Sequence, residues 1–262
     1  MATVVFFHAH PDDEAIATGG TMAKLSATGH RVLCVTATKG ELGEVDDGFL
    51  SEGEELWQRR VEETHDACRA LGVHRGEFLG YVDSGMKGEP SNEDPACFWQ
   101  ADLDEAATRL AGILREEDAD VLVVYDEIGT YGHPDHVKVH LVGVRAAELA
   151  GTPRVYESTY DRDHVRMLME VGRESGAVDF EGEVPDTATF GMPGERITTR
   201  VDVRDFLEAK RAAMAAHKSQ IAETSFFLSM PPEIYALTWG TEFYIRRGAP
   251  AGTVEDDLVT GL

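Results

Sequence analysis

Through its first half the chain alternates short β-rich runs with longer stretches of helical periodicity, and few architectures tolerate that pattern. Candidate strands at 3 to 7, 31 to 37, 77 to 81 and 120 to 125 are separated by candidate helices at 15 to 28, 53 to 71 and 100 to 117. Strands joined through helices of this length run parallel, because a parallel return needs a crossover where an antiparallel one needs only a tight turn. The expected fold class is therefore α/β, with a mostly parallel sheet flanked by helices. The helix at 53 to 71 carries Leu56, Arg60, Glu63, Ala67, Ala70 and Leu71 at near-helical spacing and stops at Gly72, a usual C-terminal signal. Another helix is expected to begin near Pro134, since proline suits a first turn.

Beyond these elements, residues 83 to 98 are rich in Gly, Pro, Asn and Asp and read as a long loop of the kind that carries function. A second break covers 176 to 198, a helix is expected at 203 to 219, and the tail from 226 to 248 reads as extended segments packing back on the sheet. No internal repeat or long linker demands a boundary, so the expectation is one domain over 1 to 262, a core at 1 to 160 with a C-terminal elaboration at 161 to 262. Hydrophobic residues at 42% and charged residues at 27% match a globular chain with a substantial core.

Charge narrows the partners. With 24 Lys and Arg against 48 Asp and Glu, the formal net charge is −24, which argues against nucleic acid and against an anionic membrane surface. The same acidity also fits a solubility or high-salt adaptation, and it leaves a homo-oligomer open. No apolar run approaches the ~20 residues of a membrane span, and Thr3 to Phe7 lacks the basic start and cleavage pattern of a signal peptide, so a cytoplasmic location is expected. Three widely spaced cysteines, Cys34, Cys68 and Cys97, give neither a disulfide framework nor a metal knuckle and read as reduced and structural.

Two clusters carry the chemistry. The first candidate strand runs into His8-Ala9-His10-Pro11-Asp12-Asp13-Glu14, and Tyr131-Gly132-His133-Pro134-Asp135-His136 follows the strand at 120 to 125 after a short loop. Both lie beyond the carboxyl ends of candidate parallel strands, where open α/β sheets place their ligands. A catalytic zinc takes three ligands from His and Asp or Glu and leaves a position open, and His10, Asp13 and His136 would supply two imidazoles and a carboxylate. A second carboxylate beside such a metal can take a proton from water, while His133, one helical turn from His136, can serve as general acid or oxyanion stabiliser. The bland alternatives are that Asp12 and Asp13 are merely acids at a helix N-terminus and that His133 is a cap.

Together, Ala9 to Glu14 and His133 to His136 resemble the two signatures of the PIG-L (LmbE-like) family of zinc-dependent N-deacetylases. The resemblance implies a Rossmann-like fold, a catalytic Zn²⁺ and hydrolysis of an acetamide on a sugar conjugate, a small-molecule partner. By the same resemblance His10, Asp13 and His136 are the metal ligands and Asp12 is the general base. His133 then stabilises the tetrahedral intermediate or protonates the leaving amine, Asp135 orients His133, and Tyr131 contacts the oxyanion. Iron(II) is accepted by the same donor set. Within the family the likeness is greatest to the branch that deacetylates N-acetylglucosaminyl-inositol in mycothiol biosynthesis, through Lys39 to Val45, Arg60, Asp83 to Met86 and Glu255 to Leu258. It implies that Arg60 and Asp83 bind sugar or inositol hydroxyls and that Met86 lines the pocket. The related mycothiol-conjugate amidases carry a lysine where this chain has Ala17, and the segment before the second cluster reads Glu127-Ile128-Gly129-Thr130 where the relatives have a Gly-Gly pair.

Amide hydrolysis on a thiol conjugate or another glycosylated metabolite, and sugar binding without turnover, remain the competing readings. His8 reads as a buried, hydrogen-bonded strand histidine with a supporting role behind His10 as the alternative, and His140 reads as structural. His217 and Lys218 read as complements to a helix dipole. Gly19-Gly20 belongs to no phosphate-binding motif, which argues against a nucleotide cofactor. Trp57, Trp99 and Trp239 are too scattered for a sugar-stacking platform.

Overall fold

The computed structural model describes residues 1–175 and 189–262. Seven strands, β1 (Thr3–His8), β2 (Arg31–Thr38), β3 (Arg75–Tyr81), β4 (Val121–Tyr125), β5 (Arg154–Thr159), β6 (Thr199–Asp202) and β7 (Thr241–Arg246), form one sheet in the order β3-β2-β1-β4-β5-β7-β6. The first five pair in parallel, and β7 pairs antiparallel with both β5 and β6. Strand order reverses between β1 and β4, so the crevice beyond their carboxyl ends is the topological switch point.

The helices are α1 (Asp13–Ala17), α2 (Gly19–Ala27), α3 (Leu56–Ala70), α4 (Leu103–Glu116), the single turn α5 (Gly129–Gly132), α6 (Pro134–Ala150), α7 (Arg162–Ser175), α8 (Leu207–Ala216), α9 (Phe226–Ser229) and α10 (Pro232–Trp239). They cover both faces of the sheet. Val4, Phe6, Val32, Cys34, Val121 and Val123 join the apolar side of α2, α3 and α8, whereas Val5, Phe7, Leu33, Val35, Leu122 and Val124 join α4 and α6. This period-2 split, buried on both sides, explains why the central strands read as continuous apolar runs. All three cysteines are free and buried.

Several expectations are corrected. The helix expected at 15 to 28 is two helices that meet at Thr18, whose φ of −136° interrupts the turn. The break is a tertiary effect: Glu242 on β7 accepts the N–H groups of Gly20 and Thr21, at 2.8 Å each, and so supplies α2 with its own N-terminal acceptor. A Cβ on Gly20 would lie 2.6 Å from Val203, so only glycine fits there. The tail expected to be extended is extended only in β7, because Pro231 and Pro232 start α10 and its Tyr235 and Trp239 bury against Met214 of α8. That strand lies inside the sheet, between β5 and the edge strand β6. Strand β5 and helix α7 had no counterpart in the sequence reading. Of the break at 176 to 198, residues 176 to 188 lie outside the described residues, and 189 to 198 contain one tight turn, Gly194–Arg196. Helix 203 to 219 is shorter, a turn at Arg204–Phe206 followed by α8.

Candidate active site

Both clusters converge beyond β1 and β4. The turn after β1 carries His10, Asp12 and Asp13 into the first turn of α1, and the turn after β4 delivers Tyr131, His133, Asp135 and His136 to the start of α6. Gly129 makes the second turn possible: its φ is +65°, and a Cβ there would come within 2.7 Å of the Val137 amide. Thr130, with φ 66° and ψ −58°, is held in a strained conformation by Asp126, whose Oδ1 accepts its N–H at 2.8 Å, and by Gly191, whose N–H donates to its carbonyl at 2.8 Å.

Asp13 bridges the two clusters. Its Oδ2 lies 3.4 Å from His10 Nδ1 and its Oδ1 lies 3.4 Å from His136 Nε2. Burial opposes ionisation of Asp13, yet His136 and His10 hold its carboxyl well below the usual carboxylate range. Separations of 3.4 Å are long for hydrogen bonds, and they run from the two different oxygens of Asp13 to the two imidazoles. The donors that lie within 4.8 Å of one another belong to His10, His133 and His136 and to His10, Asp83 and Asp135, two groups that leave out Asp13, the carboxylate expected from the sequence. The electrostatics fit a cation as well. Asp13, Asp83 and Asp135 crowd around His10, Asp13 also reaches His136, and Asp12 stands beside Arg60, the permanent cation among these groups. Burial works against the His10 imidazolium, but Asp13, Asp135 and Asp83 raise His10 well above its ordinary range, so the pocket attracts positive charge.

The support around these groups differs in one respect from the sequence expectation. The Asp135 carboxylate does not face His133; its Oδ2 lies 3.1 Å from His10 Nε2 and accepts the Ser84 N–H at 2.9 Å, while Oδ1 accepts the Ser84 hydroxyl. It is the backbone N–H of Asp135 that meets His133, donating to Nδ1 at 3.1 Å, which makes His133 the N-cap of α6. An Nδ1 that accepts leaves Nε2 to carry the proton. Burial, then His10 and His136, lower His133 to about 4, so it is a neutral imidazole at physiological pH.

Asp12 is one-fifth exposed in the cleft, and burial raises its carboxyl to about 6 against the pull of Arg60. Arg60 itself is only 3% exposed. It donates to the carbonyls of Gly40 and Pro11 and approaches Asp12 Oδ2 at 3.3 Å, so it braces the Asp12 loop while lining the cleft. Asp83 lies 3.5 Å from His10 Nε2 and is held below the usual carboxylate range, burial opposing and His10 prevailing. Met86 and Tyr131 stand half-exposed at the rim, with the Tyr131 hydroxyl 3.5 Å from His136 Nε2. These residues line a polar cleft of about 370 Å³ that also exposes Glu44, Glu89 and Gln220. A larger cavity of about 570 Å³ meets it at Tyr131, but that cavity is mostly apolar and is lined by none of Asp12, Asp13, Asp83 and Asp135.

Two contributors, Ser84 and Tyr125, escaped the sequence reading. Ser84 fixes Asp135; its place within the quoted Asp83 to Met86 segment was the available signal. Tyr125, the last residue of β4, stacks on His136 with ring centroids 4.3 Å apart, and its hydroxyl lies 3.0 Å from His8 Nδ1. The other His8 nitrogen meets Thr18 at 3.0 Å, so His8 is a fully partnered core histidine. Glu14 and His217 form a buried pair at 2.6 Å, which replaces the helix-dipole reading of His217. His140, one turn along α6 from His136, bonds the Tyr125 carbonyl at 2.9 Å, in keeping with a structural part.

Comparison with known proteins places this geometry. The family model described as GlcNAc-PI de-N-acetylase (PIG-L) matches residues 5–147, a span that contains both clusters. A protein of Thermomonospora curvata named 1D-myo-inositol 2-acetamido-2-deoxy-alpha-D-glucopyranoside deacetylase is 40% identical, with 99% of this chain and 95% of the relative covered. A protein of the same name from Acidothermus cellulolyticus is 42% identical over 100% of this chain and 96% of its own. Among solved structures, the N,N'-diacetylchitobiose deacetylase of Pyrococcus horikoshii superposes with a TM-score of 0.63 at 21% identity, over 93% of this chain and 83% of that one, which shows a shared fold. With the match spanning more than half its length and relatives above 30% identity aligned end to end, this chain belongs to the PIG-L (GlcNAc-PI de-N-acetylase) family.

Proposed function

We propose that this protein removes the acetyl group from N-acetylglucosaminyl-inositol, releasing glucosaminyl-inositol and acetate, with Zn²⁺ held by His10, Asp13 and His136. The observation that carries this reading is the end-to-end likeness, at 40–42% identity, to relatives named for that reaction, in a chain whose two clusters converge on one cleft. A divalent zinc bound there would supply Lewis acidity toward the amide carbonyl and bring the pKa of water toward ~7.

The chain's own groups then divide the work. Asp12, raised to about 6, is poised near neutrality to accept a proton from the attacking water and return it to the departing amine. His133 is neutral with its proton on Nε2, which suits it to donate a hydrogen bond to the carbonyl oxygen as negative charge develops and leaves proton delivery to Asp12. Tyr131 stands at the rim to assist that donor. Asp135 orients His10 by the carboxylate–histidine pairing that steadies metal ligands. Asp83, with Glu44, Glu89 and Gln220, offers the acceptors and donors that a polyol needs, while Met86 closes the rim. Arg60 contributes by holding the Asp12 loop.

We take residues 1–262 as one domain, since β6 and β7 continue the sheet that β1 to β5 begin. No helix among the described residues is long and apolar enough to cross a membrane, and the proposed site of action is the cytoplasm. The deciding experiment measures acetate release from N-acetylglucosaminyl-inositol, N-acetylglucosamine and a mycothiol conjugate by metal-stripped protein with and without Zn²⁺. Zinc-dependent turnover that is fastest on the inositol glycoside is expected. Metal binding without acetate release from any of the three would overturn the reading.

A further inference from the structure

The buried Glu14–His217 pair has no part in the division of work described above. Glu14 Oε1 and His217 Nε2 are 2.6 Å apart with neither side chain exposed, and the contact ties the first turn of α1 to the end of α8, 203 residues away. Removing two such groups from water is costly, and a well-packed apolar pair would serve stability as well. What the pair does locally is specific. The second Glu14 oxygen, Oε2, accepts the backbone N–H of Asp12 at 3.0 Å. Asp12 needs that restraint, because its φ of 104° and ψ of −31° are unfavourable for any residue but glycine, and a strained conformation persists only where its surroundings enforce it. Arg60 restrains the loop from the other side, through the Pro11 carbonyl at 2.5 Å and the Asp12 carboxylate at 3.3 Å.

We propose that His217 is a positioning residue for the hydrolysis: by anchoring one oxygen of Glu14 it aims the other at the Asp12 amide and so keeps the Asp12 carboxylate in place. The inference rests on Asp12 acting as the base. Its side chain is the relevant part of His217, since the main chain around it is bonded independently, with the Gln220 and Ile221 N–H groups donating to the His217 carbonyl at 3.0 and 2.8 Å.

The test compares His217→Leu, which keeps volume without a donor, with His217→Gln, whose amide nitrogen can stand where Nε2 stands. Each is made in the zinc-loaded wild type and in Asp12→Asn. His217→Leu is expected to lower kcat about 10- to 100-fold, the cost of a small misplacement, with KM within ~3-fold and one zinc per chain retained. His217→Gln recovers most of that loss. In the Asp12→Asn background His217→Leu lowers the residual rate by less than ~3-fold, because the group it positions is already gone. Equal losses in both backgrounds, an unchanged kcat, or a loss carried by KM or by zinc content would overturn the proposal. Should His217→Leu fail to fold, His217→Asn, too short to reach Glu14, takes its place against His217→Gln under the same criteria. If Asp12→Asn alone turns over at the wild-type rate, the reading of Asp12 fails; if it is inactive while His217→Leu is not, this inference alone fails.

Discussion

Replacing Asp12 by Asn should make the metal-free protein more stable while removing its activity. The carboxyl is raised from 3.8 to about 6 by burial, with Arg60 pulling the other way, so the folded state disfavours its ionised form. At ~1.4 kcal/mol per pKa unit, that shift corresponds to about 2–3 kcal/mol at neutral pH. The sign follows from the direction of the shift. Below the unfolded value Asp12 is neutral folded or unfolded and costs nothing; as pH rises through the folded value it ionises and the whole penalty applies. Asn keeps the shape, carries no charge at any pH, and tolerates positive φ better than most residues. Urea unfolding of metal-free wild type and Asp12→Asn should therefore show the variant ahead by about 2–3 kcal/mol at pH 8, and by roughly half as much at pH 5. Reconstituted with Zn²⁺, the variant should bind one metal per chain yet lose about 10²- to 10⁴-fold in kcat. Equal stability at pH 8, or a less stable variant, would refute the argument that burial of this carboxylate is a cost borne for catalysis.

Three further outcomes are expected. Asp135→Asn keeps an acceptor for His10 but loses the charge, and zinc affinity measured by chelator competition should fall ~10- to 100-fold; an unchanged affinity would contradict the pairing seen at 3.1 Å. His133→Ala should cost about 10²–10³ in kcat. Because burial, with His10 and His136, keeps His133 neutral above about pH 4, both limbs of the pH–rate profile should stay where they are, and the disappearance of one would assign it proton transfer instead. Thr130→Gly should raise the unfolding free energy by about 1 kcal/mol, since a β-branched residue at φ 66° is strained; a clear loss of stability would mean that the Thr130 side chain matters more than its backbone.

Local chemistry is written plainly in the chain. An apolar run ending in His8-Ala9-His10-Pro11-Asp12-Asp13-Glu14 and another followed by His133-Pro134-Asp135-His136 put ionisable groups at strand ends, and short apolar runs alternating with helical stretches made the parallel sheet legible. Proline at the first position of α6 marked its start correctly. Strand β5 was missed because Arg154–Thr159 mixes polar and apolar residues in a run that only its neighbours β4 and β7 make into a strand. The split at Thr18 was invisible for a similar reason, since the acceptor that restarts the helix is Glu242, more than two hundred residues downstream.

What the sequence by itself determined is thus which residues can do chemistry and at which end of the sheet they stand, because periodicity and motif order are properties of neighbouring positions. Only the tertiary structure decided who partners whom: that Asp135 faces His10 and Ser84 and leaves His133 to cap α6, that Arg60 braces Asp12, and that Glu14 finds His217. Those choices depend on distances between segments far apart along the chain, and periodicity along a strand or helix fixes which face a side chain takes but not what it meets there.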